Sequence, residues 1–345
     1  MAIKTIKIRI KDSTSKKDLK KMSCAINFVW NYCNETSFKA VRYNREWLSS
    51  GDLQDLTQGS SRELGLNSAS IQMVCREYVQ KRIQFKKRKL RFRGKKSLGW
   101  VPFRKDSIKF KNGSVVFNKR TYQVFQPERL PEGKFCSGEF CEDSRGNWYI
   151  CIPVEVDVEK TKSKGEVGID LGLKDVATLS DGTKVANNKY FRMMENKLAK
   201  AQRRKDKKKA RKIHAKIRNR RLDTLHKAST NIIKKNELIV VGKFGAKNLV
   251  KTKMAKSINE AGTIMFKTML KYKASVHQCR YVEVSENFST QICSSCGVNP
   301  ASSPKGVKDL GVREWVCSDC GAVHDRDVNA AMNILRFGRE SLGLK

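Results

Sequence analysis

The stretch VCSDCGAVHDRDVNAAMNIL, residues 316–335, joins a cysteine pair to two aspartates and to the apolar spacing of a helix. Its Cys317 and Cys320 form a C-x-x-C-G pair, and an earlier pair of the same form contains Cys293 and Cys296. The glycine after each pair permits the tight turn that directs two sulfurs to one ion. Two such pairs at this spacing are typical of tetrahedral zinc, and four thiolates leave no position open for catalysis. The sequence therefore predicts that these four cysteines hold a structural zinc.

Two aspartates follow the second cysteine pair where the helical pattern starts. Asp325 is well placed to cap the helix, so capping does not explain the second aspartate, Asp327. Far upstream, Asp170 lies inside the apolar strand pattern VGIDLG, where a charge is costly unless it is paired or binds a cation. Carboxylates from separate segments that converge in a basic protein fit a two-metal phosphodiester hydrolase that uses Mg²⁺. A helix cap and a paired strand aspartate remain the structural alternatives.

The charge of the chain indicates a polyanionic partner. The 345 residues contain 72 Lys and Arg against 34 Asp and Glu, a formal net charge of +38, which favours nucleic acid. No run approaches the ~20 apolar residues of a membrane-spanning helix and no signal peptide opens the chain, so we expect a soluble, cytoplasmic protein without a membrane partner. Eleven cysteines, an odd number, fit reduced thiols and metal ligation better than disulfides.

Residues 197–221 hold 14 Lys and Arg in 25 positions without Gly or Pro, which predicts one long basic helix. Such dense like charge repels itself unless phosphates neutralise it and release counterions. A solvated helix face that binds nothing is the alternative. The residues expected to contact nucleic acid are Arg203, Arg204, Lys207, Lys208, Arg211 and Lys212.

Periodicity divides the chain into two regions. Before a polar linker, residues 3–10 alternate like a half-buried strand, amphipathic helices are predicted from Ser15 and over 68–92, and residues 100–156 contain two hairpin patterns, the first with an Asn-Gly turn. A new domain is expected to start near Gly165.

Beyond that boundary, the apolar runs at 238–241 and 279–286 predict strands. The segment DVNAAMNILRFG predicts a last helix that ends at Gly338.

Four features in this order resemble the TnpB family, which is related to Fanzor and to type V CRISPR effectors. They are GIDLGLKDVATLSDG (168–182), the basic helix, the doubled cysteine pair and HDRDVNAAMNIL (324–335). The resemblance covers essentially the whole chain and implies an α+β multidomain fold with an RNase H-like (RuvC) nuclease. The implied boundaries are a β-barrel wedge domain at 1–12 and 96–160, a helical recognition insertion at 13–95, the nuclease at 161–290 and 323–345, and a zinc-ribbon insertion at 291–322.

The resemblance implies an RNA-guided DNA endonuclease encoded by an insertion-sequence-type element. Its expected partners are guide RNA from the element end and double-stranded target DNA beside a short flanking motif. Its expected cofactors are structural Zn²⁺ and catalytic Mg²⁺. A nuclease-dead, RNA-guided repressor and a guide-independent nucleic-acid binder are the alternatives, and transposition by this chain is not implied.

By the same resemblance, Asp170 is the first catalytic carboxylate and Asp327 the third, but the second departs from the family. The family usually has a Glu at the end of the strand that corresponds to 238–241, where this chain has Gly242 and Lys243. Read strictly, this departure predicts a dead nuclease, and an ammonium near the metal site would compete with Mg²⁺.

A glutamate on the neighbouring strand offers a replacement. In an RNase H-like sheet the strand at 279–286 should lie beside the strand that ends at Val241, so Glu286 at its end is expected to reach the same ion. Glu283 is the less favoured substitute. An ordinary exposed strand-end glutamate is the structural alternative for Glu286.

Overall fold

The structure is a computed structural model that describes residues 2–11, 13–94, 96–157, 163–243, 257, 261–305, 309 and 311–344. The chain forms two compact units, one over Ile3–Val156 and one over Asp157–Lys345. No helix among the described residues is both long enough and apolar enough to cross a membrane.

The first unit combines two small sheets with a set of helices. Its strands are β1 (Ala2–Arg9), β2 (Trp100–Phe103), β3 (Ile108–Lys111), β4 (Ser114–Phe117), β5 (Arg120–Gln123), β6 (Gly138–Glu142) and β7 (Trp148–Val156). Its helices are α1 (Ser13–Lys39), which continues as a π-helical turn (Ala40–Asn44), α2 (Ser50–Leu56), α3 (Ser61–Leu64) and α4 (Ser68–Phe85). The sheets have the orders β1-β7-β6-β2 and β3-β4-β5, and helices and sheets share one hydrophobic cluster.

Both predicted hairpins of this unit are confirmed. Strands β3 and β4 pair antiparallel, as do β6 and β7. Asn112 and Gly113 link β3 to β4 with φ of 46° and 68°, the two positive values that a type I′ turn requires.

The second predicted helix is shorter than expected. It ends at Phe85 rather than at residue 92, because Lys86 adopts a left-handed φ of 50°. The following backbone bonds to side chains of α1 instead of continuing a helix: Leu90 N–H donates to Asn34 Oδ1 at 2.8 Å, and Arg93 N–H donates to Asn31 Oδ1 at 2.8 Å.

The second unit is built on a five-stranded mixed sheet of order β10-β9-β8-β11-β12. Strand β8 pairs antiparallel with β9, and β9 with β10, whereas β11 runs parallel to both β8 and β12. The prediction that the strand near 279–286 lies beside the strand ending at Val241 is confirmed, since Val241 is the register partner of Glu283. The strands are β8 (Gly165–Leu171), β9 (Asp175–Leu179), β10 (Lys184–Ala186), β11 (Asn236–Gly242) and β12 (Arg280–Val284).

The single long basic helix predicted over 197–221 is wrong. The segment forms a helical hairpin that turns at residues 204–206, where Lys205 has a φ of 54°. Asp206 caps the second helix by accepting a hydrogen bond from the Lys209 backbone N–H at 2.9 Å. An N-cap aspartate inside a run of helix-favouring lysines therefore determines the break. Among the described residues of this unit, the helices are α5 (Tyr190–Arg203), α6 (Lys207–Lys235), α7 (Thr263–Val276) and α8 (Arg326–Ser341).

Helix α8 packs closely on the sheet and runs to Ser341, so the prediction that it ends at Gly338 is wrong. A Cβ at Gly338 would lie 2.5 Å from Val240 Cγ1 on β11. A Cβ at Gly168 on β8 would lie 2.7 Å from the Leu335 backbone nitrogen. Gly338 is thus a packing position within the helix that lets α8 approach β11, and Gly168 lets α8 approach β8, the strand that carries Asp170.

Candidate functional site

The four predicted zinc ligands come together in the structure. The Sγ atoms of Cys293, Cys296, Cys317 and Cys320 all lie within 4.8 Å of one another. Cys293 Sγ is 3.7 Å from Cys320 Sγ, and Cys296 Sγ is 3.8 Å from Cys317 Sγ. A tetrahedron of Zn–S bonds requires sulfur separations of about 3.8 Å. The cluster therefore fits a four-thiolate zinc site.

The turns around the cysteines follow the predicted use of glycine. Gly297 and Gly321 have φ of 79° and 72°, and each donates its backbone N–H to the carbonyl of the first cysteine of its pair at 2.9 Å. The second pair lies between the short antiparallel strands β13 (Glu314–Val316) and β14 (Val323–Asp325).

His324 contacts the cluster and was not predicted from the sequence. Its Nε2 lies 3.0 Å from Cys293 Sγ, and its buried ring packs on Trp315 with centroids 4.8 Å apart. Burial acts to raise the pKa of Cys293, but the backbone N–H groups of Cys296 and Ser295 and the His324 ring together lower that pKa to about 6. This environment favours the thiolate, the form that binds metal.

Three further carboxylates are treated together here as the acidic cluster, although their oxygens are not among the described ligand atoms that all lie within 4.8 Å of one another: Asp170 on β8, Glu286 after β12 and Asp327 in the first turn of α8. Burial raises the pKa of Asp170 well above its ordinary value, and the charges of Glu286 and Asp327 raise it further. Arg326 opposes this effect. Glu286 and Asp327 are therefore both electrostatic neighbours of Asp170.

Glu286 occupies the space over Gly242. A Cβ at Gly242 would lie 2.6 Å from Glu286 Cγ and 2.9 Å from Glu286 Cδ, and would also collide with Oε1. Burial raises the pKa of Glu286 to about 7, although Lys267 acts to lower it. Its buried Oε1 has no hydrogen-bond partner among the described residues. Gly242, the residue that departs from the family pattern, is thus the residue whose missing side chain makes room for the Glu286 carboxylate.

Glu283, the less favoured substitute, is engaged elsewhere. Its carboxylate forms an ion pair with Lys267 Nζ at 2.7 Å and accepts a hydrogen bond from Tyr281 Oη at 3.1 Å. Lys243 is exposed, whereas Arg326 acts to lower the pKa of Asp170 and Lys267 acts to lower the pKa of Glu286.

Asp325 is the helix cap, as predicted, so Asp327 is not needed for that role. The Asp325 carboxylate accepts hydrogen bonds from the backbone N–H groups of Asp327 at 2.9 Å and Val328 at 3.0 Å, and it pairs with Lys184 Nζ at 2.7 Å. The Asp327 carboxylate instead meets Arg313 Nη1 at 3.2 Å, an ion pair that sequence reasoning missed.

The acidic cluster has the chemistry of a site for a hard divalent cation. Half-buried carboxylates whose charges interact are stabilised by protonation, by a paired basic side chain or by a bound cation. Oxygen donors suit Mg²⁺, and the unpartnered Oε1 of Glu286 is available as such a donor.

The six residues expected to bind nucleic acid lie together at the α5–α6 turn, and all six are exposed. This surface is called the basic turn and consists of Arg203, Arg204, Lys207, Lys208, Arg211 and Lys212. The helices beneath it pack through a small hydrophobic cluster that includes Leu198 and Ile213. Nucleic-acid binding by the basic turn stays a prediction.

Fold and site together define a strongly basic, mixed α/β protein that carries four clustered cysteines suited to a metal ion and two carboxylates that act on Asp170. Residues 149–253 match the family described as "Probable transposase" (OrfB_IS605), and residues 265–334 match "Cas12f1-like, TNB domain". A "Putative RNA-guided DNA endonuclease" of Streptomyces pristinaespiralis is 32% identical over 85% of this chain and 75% of the relative. The chain belongs to the TnpB family, as its motifs predict.

Two further similarities extend along most of the chain. "Putative RNA-guided DNA endonuclease InsQ" of Escherichia coli (strain K12) is 24% identical over 94% of this chain and 89% of the relative. The solved structure described as "Cryo-EM structure of the Cas12f1-sgRNA-target DNA complex" aligns with 97% of this chain and 99% of that chain, with a TM-score of 0.39 and 14% identity.

Proposed function

We propose that this chain is an RNA-guided DNA endonuclease, encoded by an insertion-sequence-type element, that hydrolyses DNA phosphodiesters. The observation that carries this proposal is the position of Glu286, whose carboxylate fills the space over Gly242. With Asp170 and Asp327 it completes a set of three carboxylates in a chain that lacks the glutamate usual for its family. Family membership and the names of the relatives support the same activity.

We assign the five-stranded sheet and α8 to an RNase H-like (RuvC) nuclease domain at 161–290 and 323–345, with the zinc ribbon at 291–322. The sheet order and its two parallel pairings support this assignment. We assign 1–12 and 96–160 to the wedge domain and 13–95 to the recognition insertion.

Asp170, Glu286 and Asp327 would hold catalytic Mg²⁺. Bound Mg²⁺ supplies activation of water and stabilisation of the leaving oxygen. The chain positions these ligands on elements that are packed together, because β8, β11 and β12 are adjacent strands and α8 lies on β8. Partial burial of Asp170 in the sheet limits its contact with water, which strengthens the charge interactions of this carboxylate.

Cys293, Cys296, Cys317 and Cys320 would hold a zinc ion that stabilises the ribbon and takes no part in catalysis, since four thiolates complete its coordination. Guide RNA and double-stranded target DNA are the proposed partners. The net charge of +38 and the exposed basic turn support binding to their phosphates.

The test begins with the RNA that copurifies with the full-length protein. That RNA is sequenced, a DNA library matched to its guide segment is prepared with randomised flanks, and cleavage is measured in millimolar Mg²⁺. We expect cleavage of targets beside one short flanking motif. Specific binding of matched targets without cleavage would contradict the proposal and would indicate a nuclease-dead, RNA-guided repressor.

A further inference from the structure

Two buried asparagines on one face of α8 contact the loop that leads into the first cysteine pair. Asn329 is 1% exposed and Asn333 is fully buried, and a spacing of four places them one turn apart on the same side of the helix. Asp327 precedes Asn329 by two residues on this helix.

The two amides bind the same pair of loop carbonyls. Asn329 Nδ2 donates to the carbonyl oxygens of Ile292 at 2.8 Å and Ser289 at 3.3 Å. Asn333 Nδ2 donates to the same two oxygens at 2.6 Å and 2.9 Å. Asn329 Oδ1 also accepts from the Ser294 backbone N–H at 2.8 Å, next to the zinc ligand Cys293.

The orientation of Asn333 follows from these carbonyls. Its Oδ1 is buried without a hydrogen-bond partner among the described residues, which is costly. A flipped amide would place this oxygen against the two carbonyl oxygens, which offer no proton. Asn333 therefore leaves one acceptor unsatisfied so that its amide can hold the loop.

Ser289, which is 2% exposed, links the loop held by the two asparagines to Glu286 of the acidic cluster. The Ser289 backbone N–H donates to the Glu286 carbonyl at 3.1 Å, and its Oγ–H donates to the same oxygen at 2.9 Å. A continuous set of hydrogen bonds thus joins the helix that carries Asp327 to the backbone carbonyl of Glu286.

We propose that Asn329, Asn333 and Ser289 are positioning residues, an amide clamp that holds Glu286 and Asp327 in register for the divalent cation. This inference rests on the proposed function. The two carboxylates belong to different elements, and both repel Asp170 when no cation is bound, which favours movement of the loop after β12 away from α8. The clamp restrains that movement at the point where the loop leaves Glu286.

The test measures divalent-cation affinity separately from cleavage. Mn²⁺ is titrated into the full-length, zinc-containing protein, and free Mn²⁺ is followed by electron paramagnetic resonance, with Asp170→Asn to identify binding at the acidic cluster. Asn333→Leu, similar in volume, should raise the Mn²⁺ Kd by about 10-fold, since partners of metal ligands typically contribute 10- to 100-fold. Its zinc content should remain that of wild type.

Asn34→Leu is the matched control. Asn34 is fully buried, and its amide likewise bonds Leu90 twice, by Nδ2 to the carbonyl at 2.8 Å and by Oδ1 from the N–H at 2.8 Å. It belongs to the first unit, so its replacement should lower the melting temperature without changing the Mn²⁺ Kd. A structural role common to buried amides would give the two variants the same result.

A Kd within twofold of wild type in folded, zinc-containing Asn333→Leu would overturn the inference. If that variant loses zinc or does not fold, Ser289→Ala is the deciding variant, because it removes only the hydroxyl hydrogen bond to the Glu286 carbonyl. It should still raise the Mn²⁺ Kd several-fold. An unchanged Kd for Ser289→Ala would overturn the clamp. Wild type that binds no Mn²⁺ at the acidic cluster would overturn the proposed metal site itself, a result distinct from failure of the clamp alone.

Discussion

Gly242→Ala tests whether the end of β11 must be empty to accommodate Glu286. The added Cβ would lie 2.6 Å from Glu286 Cγ and 2.9 Å from Cδ, distances at which one side must move. The backbone of β11 is held by its pairing with β8 and β12, so the Glu286 side chain is the part that yields. We therefore expect the substitution to displace the carboxylate and leave the strand in place.

The expected cost to stability is small and the expected cost to cleavage is large. An off-rotamer side chain costs about 0.5–1.5 kcal/mol, and replacing Gly by Ala within a strand returns about 0.5–1 kcal/mol. The two nearly cancel, so the melting temperature should stay within about 4 °C of wild type. Displacement of a metal-site carboxylate should reduce the cleavage rate by at least about 10-fold.

The assay compares melting temperature and cleavage of guide-matched DNA for wild type, Gly242→Ala and the control Gly311→Ala, whose new Cβ would meet nothing within 4 Å. The control should cut at the wild-type rate. If Gly242→Ala cuts at the wild-type rate, the reasoning is refuted, because the added Cβ fills the space over residue 242 and cleavage would not depend on a Glu286 carboxylate placed there. A large drop in melting temperature would mean that the strand yields instead.

Three further results are expected. Cys317→Ser should release zinc and lower the melting temperature of the ribbon, because three thiolates and a hydroxyl hold zinc poorly; elemental analysis checks this, and wild type without zinc would contradict it. Replacing the basic turn by Gln should flatten the salt dependence of RNA binding by roughly one unit of slope for each phosphate that the turn no longer neutralises. An unchanged slope would mean that the turn faces solvent. Because burial raises the pKa of Glu286 from 4.5 to about 7, the folded chain without divalent cation retains a proton that the unfolded chain loses. Stability relative to Glu286→Gln should therefore fall as pH rises from about 5 to 7, and equal melting curves for the two proteins would count against that burial.

Features determined by short spacing could be predicted from the sequence. The four cysteines, the Asn-Gly turn and the Asp325 cap depend on residues close in the chain, and each is confirmed. The adjacency of β11 and β12 follows from the topology that the family resemblance implies, and it is confirmed. That adjacency is sufficient to propose Glu286 as the second carboxylate, whereas its position over Gly242 requires the structure.

Features that depend on tertiary packing could not be predicted in this way. Helix propensity summed over 197–221 favours one continuous helix, because a single capping aspartate changes that sum little. Propensity alone therefore does not predict the break at Asp206. In the sequence Gly338 has the position of a helix end, and its close approach to Val240 arises only when α8 packs on the sheet. The contacts of His324 with Cys293 and of Arg313 with Asp327 likewise join segments that fold back on each other.

The measurement that tests the central claim most directly is cleavage of guide-matched DNA in millimolar Mg²⁺ by wild type, Glu286→Gln and Glu283→Gln. Both substitutions keep the size of the side chain and remove one charge from the same segment, but only Glu286 lies over Gly242, whereas Glu283 is paired with Lys267. We predict that Glu283→Gln cuts at nearly the wild-type rate, while Glu286→Gln binds the target normally and cuts more than about 100-fold more slowly, because loss of a direct ligand should exceed the effect of losing an outer partner. Cleavage by Glu286→Gln at the wild-type rate would contradict its assignment as the second carboxylate.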